Sequence, residues 1–288
     1  MAEELEIKLS LTPDALNQAR QWLLAQAGAR AGGGKRLLNR YYDTPDGDLN
    51  RQQVALRVRQ AGDHYIQTLK AQGEFVDGAH RRQEWEWPLT GTGLNIGLLA
   101  DTPAGEGVNL AELAPVFETN FQRRVVMLEG QSATIECALD QGSIVAGDQS
   151  RDLCELELEL KEGSSGALLD WARELADQVP VFLNLISKAE QGYALAGLHT
   201  PSPLSDREPL VTRVLHGLSR AWLAGVGDRA LEADLQDLAS GDSMPAALAK
   251  DLGWLLACLQ AGQPVAELAS ASTRLGQLQL ALLTLEVR

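Results

Sequence analysis

Two patterns of apolar residues divide the chain. Up to about residue 200, short segments alternate apolar and polar positions, the period-two signature of strands. Beyond residue 210, apolar residues recur at three-to-four spacing, as in Leu210, Val214, Leu218 and Trp222, or Leu252, Leu255, Leu256 and Leu259. The first region reads as β-rich and the second as a small helical bundle. The seam between them carries Pro201, Pro203 and Pro209 among Ser, Thr and Asp. The expected organisation is a first domain over 1–200, a linker over 201–209 and a helical region over 210–288. Within the first domain a helix runs from Thr12, its N-cap, through Pro13 to about Ala27 and stops at Gly28. A second helix covers Gly166 to Gln178 and a third follows Ser187. Gly32-Gly33-Gly34-Lys35-Arg36 lacks the hydroxyl residue that follows the lysine of a phosphate loop, precedes a strand, and reads as a flexible connector.

The polar positions of the strands are more informative than the apolar ones. Glu4, Glu6 and Lys8 share one face of the opening strand, against Leu5, Ile7 and Leu9. Arg57 and Arg59 share a face, as do Thr68 and Lys70. Arg82, Glu84 and Glu86 oppose Trp85 and Trp87; Glu136 and Asp140 oppose Ile135, Cys137 and Leu139. Glu155, Glu157, Glu159 and Lys161 oppose Cys154, Leu156, Leu158 and Leu160. A half-buried sheet with a solvated outer face is one explanation. Solvated faces, however, mix in neutral residues, and three carboxylates in a row repel one another unless cations lie close by.

The alternative is an antiparallel barrel with charges pointing inward and apolar residues pointing outward beneath helices. So many ions cannot be desolvated without a ligand, because each would cost several kcal/mol. The interior is therefore expected to be a wet tunnel. Basic residues from several strands can grip phosphate oxygens, and clustered Glu oxygens suit a hard cation such as Mg²⁺ or Mn²⁺. Together they suggest a metal-bound polyphosphate.

Composition narrows the picture from the other side. The 288 residues carry 25 basic and 39 acidic side chains, a formal charge of -14, with 45% hydrophobic residues. That composition belongs to a globular protein and argues against a nucleic-acid or polybasic membrane-surface binder. Taken alone it argues against an anionic substrate too. No apolar run approaches a membrane span and the first residues are acidic, so the setting is expected to be cytoplasmic. Cys137, Cys154 and Cys258 have no metal or redox spacing and read as buried apolar residues; His64 and His80 also lack metal-ligand spacing. Tyr193 and the tryptophans are expected to pack between helices and barrel.

The motifs resemble the triphosphate tunnel metalloenzymes, the CYTH superfamily. Glu4-Leu5-Glu6-Ile7-Lys8 matches its Glu-x-Glu-x-Lys signature on the first strand. Tyr41-Tyr42-Asp43-Thr44, Leu56-Arg57-Val58-Arg59, Thr68-Leu69-Lys70, Arg82-x-Glu84, Arg123, Leu139-Asp140, Glu155-Leu156-Glu157-Leu158-Glu159 and Ser187-Lys188 follow in order. The resemblance implies an α+β fold: an eight-stranded antiparallel tunnel with surrounding helices, joined here to the C-terminal bundle. It also implies a divalent metal, Mg²⁺ or Mn²⁺, held by Glu4, Glu6 and the last-strand carboxylates Glu155, Glu157 and Glu159, whose register stays open. Lys8, Arg57, Arg59, Lys70, Arg82, Arg123 and Lys188 match the phosphate-binding positions. Lys8, Glu6 and Glu84 are the candidates for acting on the reacting water, and Glu136 and Asp140 support the ring. Arg124 has the opposite parity to Arg123 and is left out.

The layout is most similar to bacterial inorganic triphosphatases that join the tunnel to a helical CHAD domain. The implied activity is hydrolysis of inorganic triphosphate to diphosphate and phosphate. Thiamine triphosphatase, adenylyl cyclase or a polyphosphate-binding module are the alternatives. CHAD domains are longer and rich in His and basic residues. Residues 205–288 instead hold one histidine, His216, and seven Arg or Lys against ten Asp or Glu. The region reads as truncated or diverged CHAD-like, with a structural bundle or a homodimer surface as its role.

Overall fold

The computed structural model describes residues 2–76, 79–130 and 132–286, and within them all side chains except those of 2–4, 72–82, 105 and 286. Strand β1 (Ala2–Ser10) leads into helix α1 (Pro13–Leu24), then β2 (Ala29–Asp43), the single turn α2 (Asp48–Arg51), β3 (Ala55–Ala61), β4 (His64–Val76) and β5 (Ala79–Leu89). After three short 3₁₀ turns come β6 (Ala114–Glu129), β7 (Ala133–Ala146), β8 (Gln149–Gly163), α3 (Gly166–Ala176), β9 (Phe182–Leu183) and α4 (Lys188–Leu195). Five helices finish the chain: α5 (Leu210–Ala224), α6 (Arg229–Ala239), α7 (Ala246–Gln260), α8 (Val265–Ala271) and α9 (Arg274–Glu286).

Every ladder is antiparallel, in the order β5-β4-β3-β2-β6-β7-β8-β1-β9, and β5 also pairs with β1. Ladders therefore link the eight long strands in sequence around a central interior. The link between β1 and β5 is short, from Ala2↔Glu84 to Glu6↔His80, whereas β2 and β6 pair from Ala29↔Leu128 to Asp43↔Ala114. The ninth strand is an addition to the expected eight. It is two residues long, too short for any periodicity to reveal, and it pairs through Leu9↔Leu183 and Ser10↔Phe182.

The apolar parity of the strands faces outward, as the pattern required. Ile7 and Leu9, Val126 and Leu128, Ile135, Cys137 and Leu139, and Leu156 and Leu158 are buried beneath α1, α3 and the C-terminal helices in one continuous core. Each such leucine contributes about 1.5–3 kcal/mol by leaving water. The C-terminal helices share that core through Val214, Leu218, Leu252, Leu275 and Leu282. They are also pinned by polar bonds: Gln279 donates to the Leu183 carbonyl and accepts from its N–H, both at 2.9 Å. Ser219 Oγ accepts from the Leu185 N–H at 3.0 Å. A side-chain amide thus satisfies part of the edge of β9 that no strand covers.

Several local expectations are corrected. Thr12 does cap α1, its Oγ1 accepting from the Ala15 N–H at 3.2 Å, but the helix ends at Leu24. Gly28, at φ +79°, belongs to the turn that follows, where its missing side chain leaves room for the Glu129 carbonyl. Gly32–Gly34 is not a connector. It lies inside β2 at a register shift between Ala31 and Gly34, and a Cβ on Gly32 would sit 2.9 Å from the Val125 Cβ. Of the three cysteines only Cys137 is buried; Cys154 and Cys258 are half-buried. Tyr193 and several tryptophans pack as expected: Tyr193 edge-on to Phe117, Trp22 to Trp171, and Trp222 stacked on Phe182. Among the described residues no helix is long and apolar enough to cross a membrane.

Candidate active site

Strand alternation turns the charged parity inward, and cross-strand register decides which charges meet. Arg123 of β6 stands opposite Asp140 of β7, which stands opposite Glu155 of β8. Lys8 of β1 is opposite Glu157, and Glu6 is opposite Glu159. Lys70 of β4 is opposite Glu84 of β5. Lys188 arrives from outside the sheet, at the first position of α4. Ser187 fixes that start: its hydroxyl accepts from the Glu190 N–H at 3.2 Å while Glu190 accepts from the Ser187 N–H at 2.8 Å.

These side chains form two electrostatic groups. In the first, Arg123 makes a forked pair with Asp140, two bonds of 2.7 Å, and reaches Glu157 at 2.5 Å. Lys188 Nζ lies 2.6 Å from Glu157, 2.8 Å from Glu155 and 3.1 Å from Asp140. Burial works against Arg123, Glu157 and Lys188, yet mutual attraction wins. Lys188 is held well above the usual lysine range by Glu155, Glu157 and Asp140, and Glu157 well below the carboxylate range by Lys188 and Arg123. Phe121 lies under both cations, its ring centre 5.7 Å from the Arg123 guanidinium and 5.6 Å from Lys188 Nζ.

The second group is cationic. Glu84 lies 3.6 Å from Arg57 and 3.5 Å from Lys70. Arg59 donates from Nε to Asn39 at 2.7 Å, and Asn39 is itself held by the Thr119 carbonyl at 2.7 Å. Burial, followed by repulsion from Arg57 and Arg123, pulls the Arg59 guanidinium down to about 9. An arginine does not give up its proton readily, so burial and repulsion together are a cost that the folded state carries. Burial alone would push the Tyr41 phenol up, but Arg57, Arg59 and Lys70 together bring it below its ordinary value.

Glu6, Lys8, Tyr41, Arg57, Lys70, Glu157 and Lys188 converge on a cavity of about 50 Å³. A larger one, about 560 Å³, lies between barrel and C-terminal helices beside Trp222 and Asp152, but its lining includes no Lys or Arg. Charge, and not size, singles out the first. Glu159 pairs with Lys161 at 2.7 Å, with Glu136 4.0 Å from the same lysine, on the far side of Glu157 from Lys188. The side chains of Glu4 and Arg82 lie outside the described ones. Arg124 faces the outer surface beside Leu16 and Arg20. Asn39, Tyr41, Phe121, Ser187 and Gln191 were given no part in the site from the sequence, although Tyr41 and Ser187 stand in the motifs quoted above. For the first two the signal was present: they share a face of β2 and stand opposite Arg59 and Arg57.

Metal donors are present in chemistry more than in finished geometry. Among the described residues no three His, Cys, Asp or Glu side chains converge as a ready-made site. Glu6 and Glu159 are nevertheless opposed across one ladder with their side chains on the inner face, and Glu4 shares the Glu6 parity. Directly opposed carboxylates repel, and a hard divalent cation between oxygen donors relieves that repulsion. The donor set fits Mg²⁺ or Mn²⁺.

The sequence profile of the CYTH domain matches residues 2–193, the whole span from β1 into α4. This chain belongs to the CYTH family. The match ends before α5, so the helices over 210–286 lie outside the CYTH profile. A curated relative, the inorganic triphosphatase of Haemophilus influenzae, is 36% identical over 197 residues, covering 68% of this chain and 55% of the relative. The chain thus spans about half the length of that protein. Among solved structures, a Hippeastrum protein described as a candidate adenylyl cyclase with a dominant triphosphatase activity is 20% identical, over 66% of this chain and 95% of that one, at a TM-score of 0.49. A Pyrococcus horikoshii protein is 17% identical over 60% and 89%, at 0.37. Structural likeness of this degree carries no functional weight.

Proposed function

We propose that this CYTH protein hydrolyses inorganic triphosphate to diphosphate and phosphate in the charged interior of its barrel. The observation that carries the reading is the buried cationic wall. Burial and repulsion from Arg57 and Arg123 pull Arg59 down, Arg57 and Lys70 share the single carboxylate of Glu84, and a polyphosphate chain is the ligand whose charge relieves them. The opposing carboxylates favour an enzyme over a simple anion binder, since they would repel a bare polyanion. The 36% identity to an inorganic triphosphatase agrees.

In this reading Arg57, Arg59 and Lys70, with Arg82, bind the phosphates that leave as diphosphate, and Lys8, Arg123 and Lys188 face the phosphoryl group under attack. CYTH triphosphatases are metal-dependent in general; here Glu4, Glu6 and the carboxylates of Glu157 and Glu159 would hold Mg²⁺ or Mn²⁺, which supplies charge neutralisation on phosphate oxygens when bound. Attack forms a new oxygen–phosphorus bond from water and breaks the bridging bond to diphosphate, whose developing charge falls on the basic ring. Glu6 and Lys8, which line the cavity, and Glu84, 3.5 Å from Lys70 beside it, are the candidates to orient the water or receive its proton. Glu136 and Asp140 act through their neighbours, Lys161 and Arg123. The helices over 210–286 serve as the outer wall of the barrel. Three free thiols suit a reducing, cytoplasmic setting.

The test is a side-by-side assay of triphosphate, ATP and thiamine triphosphate with Mg²⁺ or Mn²⁺, following phosphate and cyclic AMP. Triphosphate is expected to turn over fastest. Cyclic AMP as the main product would overturn the choice of substrate, and tight triphosphate binding without turnover would make the protein a binding module.

A further inference from the structure

Lys188 is held by three carboxylates, and the three are not equivalent. Its ammonium group donates to Glu157 at 2.6 Å and is ion-paired with Glu155 Oε2 at 2.8 Å and Asp140 at 3.1 Å. Asp140 is fixed from behind by the fork of Arg123. Glu155, 1% exposed, is fixed by Gln191, whose Nε2 donates to Oε1 at 2.8 Å, leaving Oε2 for Lys188. Gln191 is itself 1% exposed and stands three residues after Lys188, on the same face of α4. Of the three carboxylates only Glu157 lines the cavity. The Lys188 ammonium is thus anchored on two sides and turned toward the cavity on the third.

We propose that Glu155 is a positioning residue: locked by Gln191, it aims Lys188 at the phosphate path and is not a ligand of the metal. The proposal rests on the functional reading above for what Lys188 binds, and it resolves the register that the run of three glutamates leaves open. What sets it apart from the other two is place: Glu155 stands opposite Ser10 on the β1–β8 ladder, farthest of the three from Glu6, whereas Glu159 is opposite Glu6 and Glu157 lines the cavity. Removing Glu155 or its anchor leaves Lys188 with Asp140 and Glu157, drawn out of aim. It leaves the metal donors in place.

The experiment uses the full chain with Glu155→Gln, Gln191→Met and the double variant, with Glu159→Gln for comparison. Tripolyphosphate binding is followed by calorimetry and Mn²⁺ binding to the protein alone by the free-Mn²⁺ EPR signal, with a melting curve for each variant. Glu155→Gln and Gln191→Met are each expected to weaken tripolyphosphate binding about tenfold, the loss of one charge-assisted contact. The double variant should be no worse than Glu155→Gln, since both act through one chain of bonds. Mn²⁺ affinity should stay within about twofold in these three and fall in Glu159→Gln. In turnover both kcat and kcat/KM should fall, since Lys188 faces the phosphoryl group under attack, while the Mn²⁺ concentration giving half-maximal rate stays unchanged. A large loss of Mn²⁺ affinity in Glu155→Gln, or wild-type tripolyphosphate binding in both single variants, overturns the proposal. A wild-type chain that binds Mn²⁺ but no tripolyphosphate sinks the functional reading instead, and the Mn²⁺ comparison still decides whether Glu155 is a ligand.

Discussion

Arg59 states most clearly what this interior is for. It is largely withdrawn from water, forked to no carboxylate among the described residues, and crowded by Arg57 and Arg123, so it costs the folded state something that a ligand returns. Arg59→Gln is therefore expected to raise the melting temperature by a few degrees while weakening tripolyphosphate binding tenfold or more. A lower melting temperature would show that Arg59 is a structural group after all. Glu6 carries the opposite expectation. Glu6→Gln keeps the size of the side chain and removes its charge, so metal-dependent turnover should fall by at least about a hundredfold with the melting curve little changed. Near-normal activity would remove Glu6 from the reaction. Residue identity and parity were legible in the sequence for all of these positions. What the sequence did not hold was partner choice: nothing local says that Asp140 takes Arg123 in a fork, or that Glu155 faces Gln191.

At the scale of elements, α4 is the piece on which the site depends most. It is eight residues long, too short to be stable alone, and its position is set by the Ser187–Glu190 capping box and by Gly192. A Cβ on Gly192 would lie 2.1 Å from the Phe117 ring, itself stacked on Tyr41 at 4.5 Å and packed against Tyr193. Gly192→Ala should thus push α4 off the barrel, costing roughly 1–3 kcal/mol and raising KM for triphosphate through Lys188. Ser187→Ala should cost about 1 kcal/mol with a smaller rise in KM. If thermal melting shows Gly192→Ala to be the milder of the two, the close packing is not what seats the helix. Ser187 and Thr12 announced their helices in the sequence because a cap is a local bond. The glycine run of β2 did not announce a strand, because the close approach that demands a glycine at Gly32 comes from Val125 on another strand.

For the whole molecule, the separation of the chain into two sequence patterns does not make two cores. The outward-facing leucines of β1, β7 and β8 and the apolar faces of α5, α7 and α9 belong to one buried cluster, and Gln279 and Ser219 bond to the backbone beside β9. A chain ending after residue 200 would leave that face in water. It is expected to be insoluble or to lose its cooperative thermal transition. A soluble fragment with the melting temperature of the full chain would show that the barrel closes its own core. The net charge has a similar lesson. The charge of -14 describes the sum over the molecule, and the sum conceals a cavity in which Lys8, Arg57, Lys70 and Lys188 meet.

The sequence by itself determined the period of each segment, hence strands before residue 200 and helices after 210, and the parity of each strand, hence which charges share a face. Both are local properties, fixed by backbone geometry that every strand and helix obeys. Motif order was enough to indicate the CYTH family. Only the tertiary structure decided which residues of one face meet those of another. Register, the ring of ladders and the seating of α4 set those distances, and a carboxylate becomes a fork for arginine, an anchor for lysine or a metal donor according to the neighbours that the fold brings within about 3 Å.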